Sequence, residues 1–208
     1  MIWEDFGPYV LPYAPGCPDA TMEHHARQAA IDFCRATLVW QADLTAIAGN
    51  GTATVFAMTM PTGALACKLL AVTINVTGVA PRLADLVTPE EGAERIRDGD
   101  LRPCAFTGDL AGLVVWPAQP TTASIVPTVA LKPSQTAATF PDVLFNQHAN
   151  DIACGALATL LSLPKQEWTD MQAASIKAAY FSDRKATIAR TVARGAASSR
   201  RYSALRWF

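Results

Sequence analysis

Apolar side chains recur every three to four residues near both ends of this 208-residue chain, but a different pattern runs through most of its middle. Such spacing gathers one face of a helix, whereas runs rich in threonine, valine and isoleucine suit a pleated strand. From Asp19 to Leu38 the residues Met22, Ala26, Ala29, Ala30, Phe33, Cys34, Thr37 and Leu38 share a stripe, and Pro18 stands ready at the helix start. A second long helix is expected over Asp142 to Leu163, opened by Pro141 and stopped by Pro164. A third, from about Gln166 to Arg194, carries Trp168, Met171, Ala174 or Ser175, Ala178, Phe181, Ile188 and Val192 at near-heptad spacing. It would be roughly 40 Å long at about 1.5 Å per residue.

Between the first and second helices, Thr52 to Met60, Leu69 to Val79, Gly112 to Trp116 and Ser124 to Leu131 read as strands. Pro117, Pro120 and Pro133 argue against deep, continuous pairing. A short helix is expected from Pro89 to Arg97, because Thr88 can cap it, Glu91 completes the capping-box spacing and Gly99 can end it. Near the start, Tyr9 to Pro18 holds three prolines and a glycine and must be extended or turning. The fold class expected is α+β: a bundle of about three long helices, interrupted by a small, mostly antiparallel β lobe, and an extended C-terminal tail. The divisions are an arm and first helix over 1–40, the inserted lobe over 41–140, two long helices over 141–195 and a tail over 196–208.

Half of the residues are hydrophobic and 17% are charged, an apolar balance for a small soluble protein, so part of the surface is expected to be covered. No apolar run reaches the roughly 18 to 20 residues needed to span a bilayer. Glu4 and Asp5 stand where a signal peptide would carry positive charge, and the expectation is a soluble, unexported protein with no membrane partner. Cys17, Cys34, Cys67, Cys104 and Cys154 are odd in number and widely spaced, unlike a disulfide framework or zinc knuckle, and imply a reducing compartment.

The net charge of −1 is unevenly spread. Residues 1–100 hold twelve acids against six bases, while Arg184 to Phe208 holds seven bases and no acid. Within that basic end Arg200, Arg201 and Arg206 alternate with Tyr202, Leu205, Trp207 and Phe208. Burial of such apolar side chains is worth about 1.5 to 3 kcal/mol each, and Trp, Tyr and Arg are the commonest anchors of interfaces. Docking on a partner protein is the reading preferred over packing back on the chain or contacting phosphates.

Chemistry is sparsely signalled. His24 and His25 are neighbours about 100° apart on a helix and cannot readily share one metal ion. His148, near Asn146, Asn150 and Asp151, could be assembled into a general base, but a histidine on an apolar stripe is more commonly a packing residue. Cys34 and Cys154 fall on buried helix faces, and Glu90, Glu91 and Glu94 begin a solvated helix. No nucleophile elbow, phosphate loop or CxxC pair is present. The expectation is a protein that is not an enzyme, with no metal and no cofactor.

The opening YVLPYAPGCPDATMEHHARQAAIDFCRATLVWQADL resembles that of head-to-tail adaptor proteins of tailed bacteriophages, through Pro15, Gly16, Cys17, Pro18, Arg27, Ala29, Ala30, Phe33 and Cys34. Val129 to Ser134, Ala153 to Trp168 and the basic end fit the same family in order. That resemblance implies an extended N-terminal arm and a virion protein of the neck, made in the host cytoplasm. It implies a homo-oligomeric, dodecameric ring beneath the portal protein, with the C-terminal segment inserted between portal subunits. A tail or nozzle protein would lie beyond, and genomic DNA would pass through with non-specific contacts. Small residues suit close packing in such a ring, and the candidate subunit-packing residues are Ala153, Gly155, Ala156, Trp168, Ala174, Ala178 and Phe181. The alternatives are another neck component, such as a stopper or tail-completion protein, then a DNA-binding protein or a small hydrolase using His148.

Overall fold

The N-terminal residues turn tightly because Trp3, Phe6 and Val10 must all reach one core. A computed structural model describes residues 1–52, 54–107, 110 and 112–195. A 3-10 turn, Trp3–Phe6, runs into the one-turn helix α1, Gly7–Val10, and turns continue to the start of α2, Asp19–Thr37. The extended arm that the resemblance implies is therefore replaced by a coiled segment. Its cause is aromatic burial: the Phe6 ring meets Phe145 edge-on at 4.9 Å, and Trp3 donates its indole N–H to the Ala137 carbonyl at 2.6 Å.

After α2 the chain enters a β region of nine strands: β1 Gln41–Asp43, β2 Ile47–Ala48, β3 Val55–Ala57, β4 Ala64–Val76, β5 Arg82–Leu83, β6 Asp85–Leu86, β7 Cys104–Phe106, β8 Gly112–Trp116 and β9 Ala123–Pro133. Helix α3, Pro89–Asp98, interrupts them between β6 and β7, with Thr88 Oγ1 accepting from the Glu91 N–H and Gly99 closing it in the left-handed conformation. Two long helices follow, α4 at Asp142–Leu160 and α5 at Met171–Arg194.

The expected three-helix bundle with a small β lobe is overturned: among the described residues there are five helices and two sheets, one of five strands and one of four. The first has the order β1-β9-β4-β5, with β2 also on β9; the second has the order β3-β8-β7-β6, and its β6–β7 pair is parallel. Leu44, Phe56, Val72, Leu113, Ile125 and Leu131 belong to a core between the sheets that shares no buried residue with the helical core. Trp40 packs against both cores and joins them.

The prolines do not prevent long pairing either. β4 and β9 form one antiparallel ladder from Ala64↔Pro133 to Val76↔Ala123, with irregularities at Cys67 and Leu70. Pro127 sits in the middle of β9, and its carbonyl accepts from the Leu44 N–H. In an antiparallel strand a residue's N–H and C=O point the same way, so the missing N–H also faces Leu44 in the gap between β1 and β2. The proline removes one bond there, the return bond to Leu44, without breaking the β4–β9 ladder.

The helical layer is uneven. α4 buries eleven of its nineteen residues, whereas the twenty-four residues of α5 bury Ala174, Phe181 and Ile188 alone.

Candidate functional site

Helices α4 and α5 meet where the sequence placed most of its candidate residues. Asp170 caps α5 by accepting from the Ala173 N–H at 2.9 Å, which fixes where the helix begins. The expected start near Gln166 is displaced because Gln166 donates its N–H to Thr169 Oγ1 and Lys165 adopts positive φ, forming a turn there.

Phe181 lies across Gly155 of α4, so closely that a Cβ at Gly155 would stand 2.7 Å from the ring. Ala153, Gly155, Ala156, Ala174 and Phe181 are thus engaged inside their own chain. Trp168 packs half-buried against the same core, and Ala178 remains exposed beside the groove that α5 forms with α2 and α4. Small residues serve first to bring these two helices together. Arg200, Arg201, Tyr202, Leu205, Arg206, Trp207 and Phe208 lie outside the described residues.

The electrostatic centre of the helical layer is Asp151, buried in an otherwise apolar stretch of α4. Arg184 grips it with both ends of its guanidinium, Nε at 2.9 Å and a terminal nitrogen at 3.2 Å, and Tyr180 donates its hydroxyl at 3.3 Å. These bonds and the carboxylate charge hold the Arg184 pKa above its ordinary value. A second ion pair, Lys185 with Asp32, ties α5 to α2. The pairing of Asp151 was not found by local spacing, since its partners lie 29 and 33 residues away. Its signal was a lone acid in an apolar helix face, which demands a partner.

His148 stands beside this cluster with its ring 5.1 Å from that of Phe33 and Nδ1 3.5 Å from Asp151, close enough for attraction yet without a hydrogen bond. Burial pushes its pKa down, and Asp151 opposes only in part. A pocket of about 560 Å³ opens here, lined by Val39, Gln41, His148, Arg184, Thr191 and Gly195 among others. Gly195 is where the chain leaves α5 for the basic tail. Chemically this is a clamp between two helices.

A stability test follows from the histidines. His25, beside His24 and held 2.8 Å from Thr159, also has its pKa lowered by burial. Both therefore bind a proton more weakly folded than unfolded, where the ordinary value is 6.5. Stability is fully present above that value and falls as the pH drops through it, because the unfolded chain takes up protons first. The thermal midpoint should be lower at pH 5.5 than at pH 7.5, and the drop should be shallower in His148→Gln; an equal slope removes His148 from the account.

The remaining candidates are dispersed. His24 and His25 sit edge to face, and among the described residues no group of three His, Cys, Asp or Glu side chains is placed to hold a metal ion. All five cysteines are free, and burial pushes the Cys34 thiol up to about 12. Glu91 pairs with Arg95, while Glu90 and Glu94 face outward. No described helix is long and apolar enough to cross a membrane. No family model and no curated protein matches the sequence.

Proposed function

We propose that this chain is a structural virion subunit, a head-to-tail adaptor of a tailed bacteriophage that forms a ring against the portal and connects it to the tail. The observation that carries the reading is the packing of α5. A helix of twenty-four residues that buries only three on its own chain leads directly into a segment dense in arginine and aromatic residues. A helix held this lightly presents most of its circumference to a partner, and the tail beyond it has the composition of interface anchors. The clamp of Asp151, Arg184 and Tyr180 fixes where α5 points, and so fixes where the tail starts.

The partner's identity comes from the sequence resemblance, which takes in the opening turn and helix, Val129 to Ser134, Ala153 to Trp168 and the basic end. In this reading the tail docks on the portal, the β region meets a tail or nozzle protein, and DNA passes with backbone contacts only.

The test is a virion assembled from a chain lacking residues 200–208. Such particles should lose packaged DNA or fail to join tails, while the truncated protein alone keeps its helical and β content. Particles that retain DNA and acquire tails normally overturn the reading. A chain that instead binds duplex with a steep salt dependence, and does not enter particles, belongs to the DNA-binding alternative.

A further inference from the structure

Two exposed surfaces on opposite kinds of structure carry matching patterns. On α5, Ile176, Arg190 and Arg194 fall on one side at 100° per residue, opposite the buried Ala174, Phe181 and Ile188. Ile176 is 61% exposed and Tyr180, next to that side, is 41% exposed. Arg190 bonds only to the Ala186 carbonyl and Thr187 hydroxyl of its own helix, and neither arginine meets an acid among the described residues. Asp183 is the single acid on this side, against two arginines.

The second surface is the tip of the β region. Leu86 and Leu101 flank the two ends of α3, and Leu83 stands just before Leu86; Leu83 is 71% and Leu101 73% exposed. Arg95 bridges Asp85 and Glu91 and so pins α3 to β6, while Asp100 is taken up by Arg102. What remains along one side of α3 is Glu90, Glu94 and Asp98, four residues apart, exposed and in no ion pair among the described residues, with Arg97 the one base beside them.

We propose that the β tip of one copy docks on the outer face of α5 of the next, setting Leu83, Leu86 and Leu101 against Ile176 and Tyr180, and Glu90, Glu94 and Asp98 against Arg190 and Arg194. The occupant is a second copy of this chain because both halves are on the one molecule and complement each other in charge and apolar content. Neither complements itself as well, since Glu90, Glu94 and Asp98 outnumber Arg97 on one and Arg190 and Arg194 outnumber Asp183 on the other. Two different patches on every copy make a head-to-tail contact, and repetition of such a contact about an axis closes a ring. At about 1.5 Å per residue α3 is about 15 Å long and Ile176 to Arg194 spans about 27 Å, so the α5 face is the longer of the two. This rests on the ring-forming reading above and assigns the surfaces that make the ring.

Sedimentation velocity of the full chain over a concentration series tests it. Glu90→Lys with Glu94→Lys, and separately Arg190→Glu with Arg194→Glu, should each raise the concentration for half-association at least about tenfold. All four changes together should restore it toward wild type. These side chains are exposed, and an unchanged circular dichroism spectrum verifies that each variant is folded. Association that no reversal weakens overturns this interface and leaves the ring reading standing. A chain monomeric at every concentration removes the second copy as the occupant. Loss in both reversals without recovery in the combined variant also overturns the pairing, since charge matching requires the rescue.

Discussion

Gly49→Ala should loosen the β region and spare most of the helical layer. A Cβ at position 49 would lie 2.3 Å from the Pro120 carbonyl oxygen and 2.8 Å from that of Gln119. Both obstacles are backbone, held by the hydrogen bonds from Gly51 N–H to the Gln119 carbonyl and from Ala123 N–H to the Pro120 carbonyl. Neither can swing aside as a side chain would, so the strain falls on the turn that leads into β9. Overpacking costs typically about 1 to 3 kcal/mol where neighbours can shift, and the upper end or more is expected here. The helical and β cores have separate buried residues, and their separation sets the form of the result. Hydrogen exchange should rise across β4 and β9 while α2 and α4 stay protected. A single cooperative loss throughout would show that Trp40 couples the cores more strongly than their separate membership implies.

Phe181→Ala should release α5. Truncating a buried phenylalanine costs about 3 to 5 kcal/mol, and α5 has only Ala174 and Ile188 as other buried anchors. Its ion pairs replace that packing only in part, because each has one solvated partner, Arg184 at 38% and Asp32 at 55% exposed. The expected outcome is rapid exchange along Met171–Arg194, with α2 and α4 still protected and the thermal midpoint lowered by several degrees. The complementary change, Gly155→Ala, drives a methyl into the same ring and should also loosen α5. In Gly155→Ala with Phe181→Leu the added methyl meets a smaller side chain, so that pair should recover part of the loss. Normal protection of α5 in Phe181→Ala would mean that something other than this contact holds the helix.

The helices were legible in the sequence because their boundary signals are local. Thr88 caps α3 and Gly99 closes it where their chemistry said they would, and α2 and α4 begin at Asp19 and Asp142 behind their prolines. The β region was underestimated for a physical reason. β1, β2, β5 and β6 are two or three residues long and carry no period; they exist because β9, β4 and β7 offer them backbone partners, for β1 and β2 far away in sequence. The stretch Ala64 to Lys68 has little β propensity of its own, yet pairing with Ala130 to Pro133 draws it into β4. At the candidate site the stripe on α5 was visible, but its partner surface was not. Phe181 and Gly155 could be placed on their helices, while the contact between them could not be read from spacing.

The chain enters the β region after Trp40 and leaves it after Pro133, and near that end the Trp40 carbonyl accepts from the Leu131 N–H at 2.7 Å. The doorway and the exit are one hydrogen bond apart. A module whose two chain crossings lie side by side can be exchanged for another of different shape without rerouting the helices that carry it, provided the new module keeps the side of β9 that packs on α2. One helical frame could in this way be fitted to different neighbours by swapping its head.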